Sequence, residues 1–106
     1  MLSLKLAFAV ALLAAGNLPF PAPKLIQATD ALRSDVGTIA SVDTVKMEVK
    51  MNAPAGQITY KVAEVQVVGP DGKPAGSATA LKAGQNVRVY YVVDNGAIAK
   101  EIDIQS

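Results

Sequence analysis

The sequence predicts an all-β protein: a small antiparallel barrel of five or six strands, closed or nearly so, behind an N-terminal apolar helix. Three observations carry that expectation. From residue 36 onward, aliphatic residues recur with period two, the spacing of a half-buried strand. Clusters of Gly, Pro and Asn punctuate those runs at short intervals. Residues 81–104 then read as a tight turn, a long strand, an Asn95-Gly96 hairpin and a closing strand. Closure would remove the unpaired edges that such strands otherwise present.

The elements follow in order. Residues 1–5 carry one positive charge, Lys5, and residues 6–16 form an unbroken apolar run ending in Ala14, Ala15 and Gly16. This is the layout of a secretory signal peptide, cut after Gly16 or alternatively after Ala28. A membrane span needs roughly 20 apolar residues. The uncharged stretch reaches Lys24 only through Pro19, Pro21 and Pro23, which make a poor helix. Retention of residues 2–23 as a membrane anchor is the alternative. Residues 1–28 are therefore read as a signal peptide or apolar segment, 29–35 as a linker, and 36–106 as the barrel. The three prolines favour an extended tether.

Residues 37–42 are the first strand. Ile39 and Val42 can both face inward only if a bulge near Ala40 and Ser41 re-aims one of them. Val45, Met47, Val49 and Met51 alternate with Lys46, Glu48 and Lys50, which predicts a half-buried second strand. Residues 52–56 are a loop by composition. Ile58, Tyr60 and Val62 share one face of a third strand, and Val65 and Val67 point inward after a kink at Ala63. Residues 69–76 form a loop whose turn has Pro70 second and Gly72 fourth. Residues 77–83 have room for one or two helical turns, with Gly84 as a left-handed cap and Leu81 plugging the sheet. In the long strand, Val87, Val89, Tyr91 and Val93 face one way and Arg88, Tyr90 and Val92 the other. Ala99 and Ile102 can both face inward only with a bulge at Lys100 and Glu101.

The elements Gly37, Ile39, Val42 and Asp43, then Asp71, Gly72, Lys73 and Pro74, then Leu81, Gly84, Val87, Val89 and Tyr91, then Gly96, Ala99 and Ile102 occur in that order. In this arrangement the chain resembles small exported bacterial domains with an OB-like barrel, largely of unknown function. The resemblance spans residues 36–104. Its motifs are turn and core positions, so it implies a fold and no activity. The periplasmic copper- and silver-binding chaperone is similar in shape, with a metal site of histidine, methionines and a tryptophan. This chain has no His and no Trp. Met47 and Met51 remain, on one strand face and roughly 13 Å apart by strand rise, too far for one ion. They are read as core, and no metal site is carried over.

The composition excludes several chemistries. Without His or Cys there is no imidazole base, thiol nucleophile or disulfide. Ser34, Ser41, Ser77 and Ser106 lack the setting of a nucleophile. Glu101 and Asp103 lie on one strand face and could touch a cation; they are read as a solvated outer surface. The net charge is +1, and loss of residues 1–28 makes it −1, which gives no grip on nucleic acid. The expected protein is a non-enzymatic exported module of the periplasm or cell envelope, without cofactor, that binds an envelope protein. Arg88, Tyr90 and Val92, on the outward face of the long strand, are the candidate partner contact. A periplasmic carrier of a small ligand or metal ion is one alternative. A membrane-anchored accessory subunit is the other.

Overall fold

A computed structural model describes residues 19–105. The predicted N-terminal apolar helix, the cleavage position after Gly16 and Ser106 lie outside the described residues. Among the described residues, no helix is long and apolar enough to cross a membrane.

Among the described residues, seven strands form one sheet: β1 (Arg33–Asp43), β2 (Glu48–Ala53), β3 (Gly56–Lys61), β4 (Gln66–Val68), β5 (Pro74–Gly76), β6 (Asn86–Val93) and β7 (Ala97–Ile104). They lie in the order β3-β2-β1-β6-β7-β4-β5, and β3 also pairs with β7. That extra pairing closes β1, β2, β3, β7 and β6 into a five-stranded barrel, with β4 and β5 added outside the ring. The expectation of a purely antiparallel sheet is corrected. β7 runs parallel to β3 at its start, where Tyr60 meets Ala97, and parallel to β4 at its end, where Val67 meets Ile102. A chain that leaves β3, turns at residues 62–65 and re-enters as β4 can serve one β7 edge twice. The turn is closed by the Val65 N–H donating to the Val62 carbonyl at 3.3 Å.

Both expected bulges are present. Ile39 pairs with Met51 and Ser41 with Lys50, so Ala40 is the extra residue. Tyr90 pairs with Glu101 and Tyr91 with Ala99, so Lys100 is the other. The second bulge turns both Ala99 and Ile102 into the interior, each at 0% exposure. The core gathers Ile39, Val49, Met51, Tyr60, Val87 and Val89, with Leu81 buried among them. Packing to this depth is what such a small barrel has in place of disulfides.

Four local expectations are corrected. β1 starts at Arg33, inside the predicted linker. β2 starts only at Glu48, and Val45 is 92% exposed. The cause is Asp43, whose carboxylate accepts the main-chain N–H groups of Val45 and Lys46, each at 3.0 Å, and turns the chain before β2. Met47 then takes a left-handed conformation (φ 53°) that aims its carbonyl at the Val62 N–H, 2.9 Å away. The insert at residues 77–83 is a single 3₁₀ turn, Ala78–Ala80, capped at Leu81 and not at Gly84. Gly84 instead donates its N–H to the Ile39 carbonyl at 2.8 Å. Finally, Asn95 and Gly96 both adopt positive φ as expected, but the last paired residues are Val93 and Ala97, which leaves a three-residue loop.

Gly37 marks a close approach of β1 and β2. A Cβ built there would lie 2.3 Å from the Asn52 carbonyl oxygen, a backbone atom that cannot swing aside. Gly37→Ala is expected to destabilise the barrel by about 2–3 kcal/mol, read as a lower urea midpoint with an unchanged slope.

Candidate functional site

The outer face of β6 and β7 carries the most organised polar arrangement among the described residues. Alternation along β6 aims Tyr90 outward, and the ladder sets Glu101 directly opposite it and Asp103 opposite Arg88. Residues 19–26, expected as a tether, cross this face as a strap. Pro19, Pro21 and Pro23 keep the segment extended and lack N–H groups for a ladder. Phe20 packs on Tyr90 with ring centroids 5.7 Å apart. The Tyr90 hydroxyl donates to the Pro21 carbonyl at 2.8 Å. Past the prolines, an uninterrupted run of main-chain donors begins. Lys24, Leu25 and Ile26 all donate their N–H groups to the Glu101 carboxylate, at 2.8 Å from Lys24 and 3.1 Å from Ile26. The Lys24 ammonium reaches Asp103 Oδ2 at 3.4 Å.

The strap changes what the face is. Tyr90 is 1% exposed, Glu101 0% and Asp103 3%. The expectation that Glu101 and Asp103 form a solvated outer surface is therefore corrected. They are outward-facing yet buried, because a distant segment covers them. A buried charge persists when it is paired and hydrogen-bonded, and Glu101 meets that condition with three main-chain donors. Asp103 meets it in part: its Oδ1 is buried without a partner among the described residues.

The two carboxyls titrate as a pair. Burial alone would raise Glu101. Hydrogen bonding to Asp103 and to the N–H groups of Lys24, Leu25 and Ile26 outweighs it and holds Glu101 below its ordinary 4.5. Burial, then the hydrogen bond and charge of Glu101, push Asp103 from 3.8 up to about 6, against the pull of Lys24. The signs differ. Asp103 stabilises the folded protein through its proton, a contribution complete below about 3.8 and lost as pH rises through about 6, although the Lys24 ammonium of the strap favours the ionised form. Glu101 stabilises the fold as the carboxylate, a contribution present above 4.5 and lost as pH falls through its depressed value. The folded protein should therefore be more stable at about pH 5 than at about pH 7.5. Tm measured across that range checks this, and Asp103→Asn should flatten the fall.

The predicted contact residues separate. Arg88, Tyr90 and Val92 do share the outer face of β6, but Tyr90 lies beneath Phe20, and the surface patch expected around it is covered. Arg88 is half-buried and donates from Nη1 to Ser34 Oγ at 2.9 Å on β1. Val92 is half-buried farther along the strand. A second polar cluster sits at the barrel end, where the Tyr60 hydroxyl donates to Asp35 Oδ2 at 2.8 Å and Tyr91 packs edge-on, 5.2 Å from Tyr60. Burial and Asp35 together raise the Tyr60 phenol well above its ordinary value. Tyr60 and Tyr91 face inward, as the alternation predicts. Met51 is fully buried in the core and Met47 packs against its edge. Among the described residues, no cluster of three or more acidic side chains could hold a metal ion.

Sequence reasoning missed the strap because its contacts join residues 75–77 positions apart in the chain. The available signal was the pairing of a lone Lys24 inside an uncharged segment with two acids on one strand face.

No protein-family model matches the chain. No curated protein matches it by sequence. Among solved structures, the chain is similar to the silver(I) form of CusF (12% identity, TM-score 0.53), with 69% of this chain and 96% of that one covered. It is also similar to a copper(II) structure of a CusF variant from Escherichia coli (12% identity, TM-score 0.54), with 76% and 100% covered. At this identity the likeness shows a shared barrel fold. The resemblance in shape to the copper- and silver-binding chaperone, expected from the sequence, is thus found in the coordinates.

Proposed function

We propose that this chain is a non-enzymatic, exported module of the cell envelope, an OB-like barrel that holds another protein through the outer face of β6 and β7. The observation that carries the reading is the burial of Glu101 and Asp103 on an outward-facing strand under a chain segment seated by main-chain donors. A strand face that serves only as surface has no use for buried carboxylates, which are costly to desolvate. The absence of His and Cys from the sequence argues against the common catalytic constellations. The apolar run at residues 6–16 and the likeness to CusF support export. Cleavage after Gly16 would leave the strap on the exported chain, and cleavage after Ala28 would remove it. Should the apolar run ahead of the strap be retained, the module becomes a membrane-anchored accessory subunit, and the mass of the exported protein distinguishes the two; an anchor reaching residue 23 would have to take Phe20 and Pro21 off β6.

The test is capture of the exported form from its own envelope, read by mass spectrometry. A partner recovered with the native chain should be lost when Arg88→Ala and Tyr90→Ala are combined. Retention of every partner by that variant would contradict the assignment of the face.

The second reading is a small-ligand or metal-ion carrier, favoured by the shape shared with silver(I) and copper(II) forms of CusF. Met47 and Met51 belong to the core, with Met51 fully buried, so they supply this reading no site. A rise in Tm with silver(I), copper ions or oligosaccharides would favour the carrier over the protein-binding module.

A further inference from the structure

The strap is held as a ligand is held. It adds no strand to the sheet, so it can leave without breaking a ladder. The groups that grip it are placed independently of it: Tyr90, Glu101 and Asp103 are fixed by the β6–β7 register. Of its polar contacts, four use main-chain atoms of the strap and one uses the Lys24 ammonium. Any extended segment with the same spacing of donors can make the first four. The segment joining strap to β1 is exposed at Gln27, Thr29, Asp30 and Ala31 and is anchored at buried Leu32, next to β1, which leaves room to swing about that point. The grip is also incomplete, since Asp103 Oδ1 is buried and unpartnered. A single ammonium cannot serve both oxygens of that carboxylate as a planar guanidinium can.

We propose that the outer face of β6 and β7 is a peptide-binding site, occupied in the single chain by its own residues 20–26, and that its partner is an extended protein segment of the same chemistry. That segment carries an aromatic residue, then prolines, then a basic residue followed by consecutive main-chain N–H groups. Its ring sits on Tyr90, its N–H groups enter Glu101 and its cation meets Asp103. Arginine at the basic position binds better than the lysine of the strap, because it also satisfies Asp103 Oδ1. The strap is then a competitor in cis, and it lowers the apparent affinity of any partner by the fraction of time it is docked. This rests on the protein-binding reading and names the chemistry of the partner.

The experiment uses the full chain, isotopically labelled, titrated with a synthetic peptide of residues 19–28 and followed by NMR. The peptide should shift the Tyr90, Glu101 and Asp103 signals and release those of Lys24, Leu25 and Ile26. A chain with Phe20→Ala and Lys24→Ala, whose own strap is weakened, should bind it about tenfold more tightly or better. The peptide with arginine in place of lysine should bind more tightly again, and the peptide with alanine there about tenfold more weakly. If the double variant fails to fold, the same signals in the unmodified chain decide. Millimolar peptide that leaves them unmoved, or an alanine peptide that binds as well as the native one, overturns the proposal. Envelope capture is scored separately. A partner captured by a chain that ignores the peptide removes this site and leaves the module; peptide binding without any captured partner does the reverse.

Discussion

Tyr60→Ala should cost the barrel about 3–5 kcal/mol, the range for removing a large aromatic from a packed core. The side chain is fully buried, sits at the seam where β3 meets β7, and packs edge-on against Tyr91. Its loss empties the interior at the one place where the ring of strands is closed by a parallel pair. It also removes from Asp35 the Tyr60 hydroxyl that it accepts at 2.8 Å, leaving it Tyr91. Domains of this size hold about 5–15 kcal/mol in all, so the variant is expected to be partly unfolded at 37 °C. Urea denaturation followed by circular dichroism measures it. Tyr60→Phe separates the two contributions: it keeps the ring and should lose only about 1 kcal/mol with the hydrogen bond.

Glu101→Ala is the second large effect, about 3 kcal/mol. Three main-chain donors lose their acceptor at once, and Asp103 is left in a buried pocket with a single ammonium for company. The strap should detach, and Tyr90 should become accessible while the barrel core remains. Because the chain has no Trp, acrylamide quenching of tyrosine fluorescence reports that exposure as a rise over the signal of Tyr60 and Tyr91, which the variant leaves in place. Glu101→Gln keeps one acceptor oxygen and should retain part of the docking. A Glu101→Ala chain whose Tyr90 stays shielded would show that Phe20 and Pro21 hold the strap alone.

The barrel was largely legible because its signals are local. Alternation from Gly37 to Met51, the requirement that Ala99 and Ile102 share an interior, and the Asn95-Gly96 turn each depend on a few neighbouring residues. Two of them demanded bulges, and Ala40 and Lys100 supply those bulges. Errors arose where a local polar interaction overrode the pattern. Asp43 captures two backbone donors and takes Val45 out of the second strand, although the period-two run passes through it. Closure by parallel pairing was not legible, since no local spacing encodes which edge of β7 receives β3 and β4. The candidate site was readable only in half. Alternation correctly put Tyr90, Glu101 and Asp103 on outward faces, and outward was equated with solvated. What covers them is a proline-rich segment more than 60 residues earlier in the chain, and proline-rich composition predicts an extended conformation without saying where it docks.

Residues 20–26 belong to the folded unit, seated on β6 and β7 through Glu101. Amide hydrogen exchange at Lys24, Leu25 and Ile26 tests it most directly. Their exchange should be at least about tenfold slower than in unstructured chain, with the slowing abolished by Glu101→Ala while the Val89 and Ile102 amides stay protected. Exchange of those three amides at the unstructured rate in the native chain, beside a fully protected barrel, would contradict it.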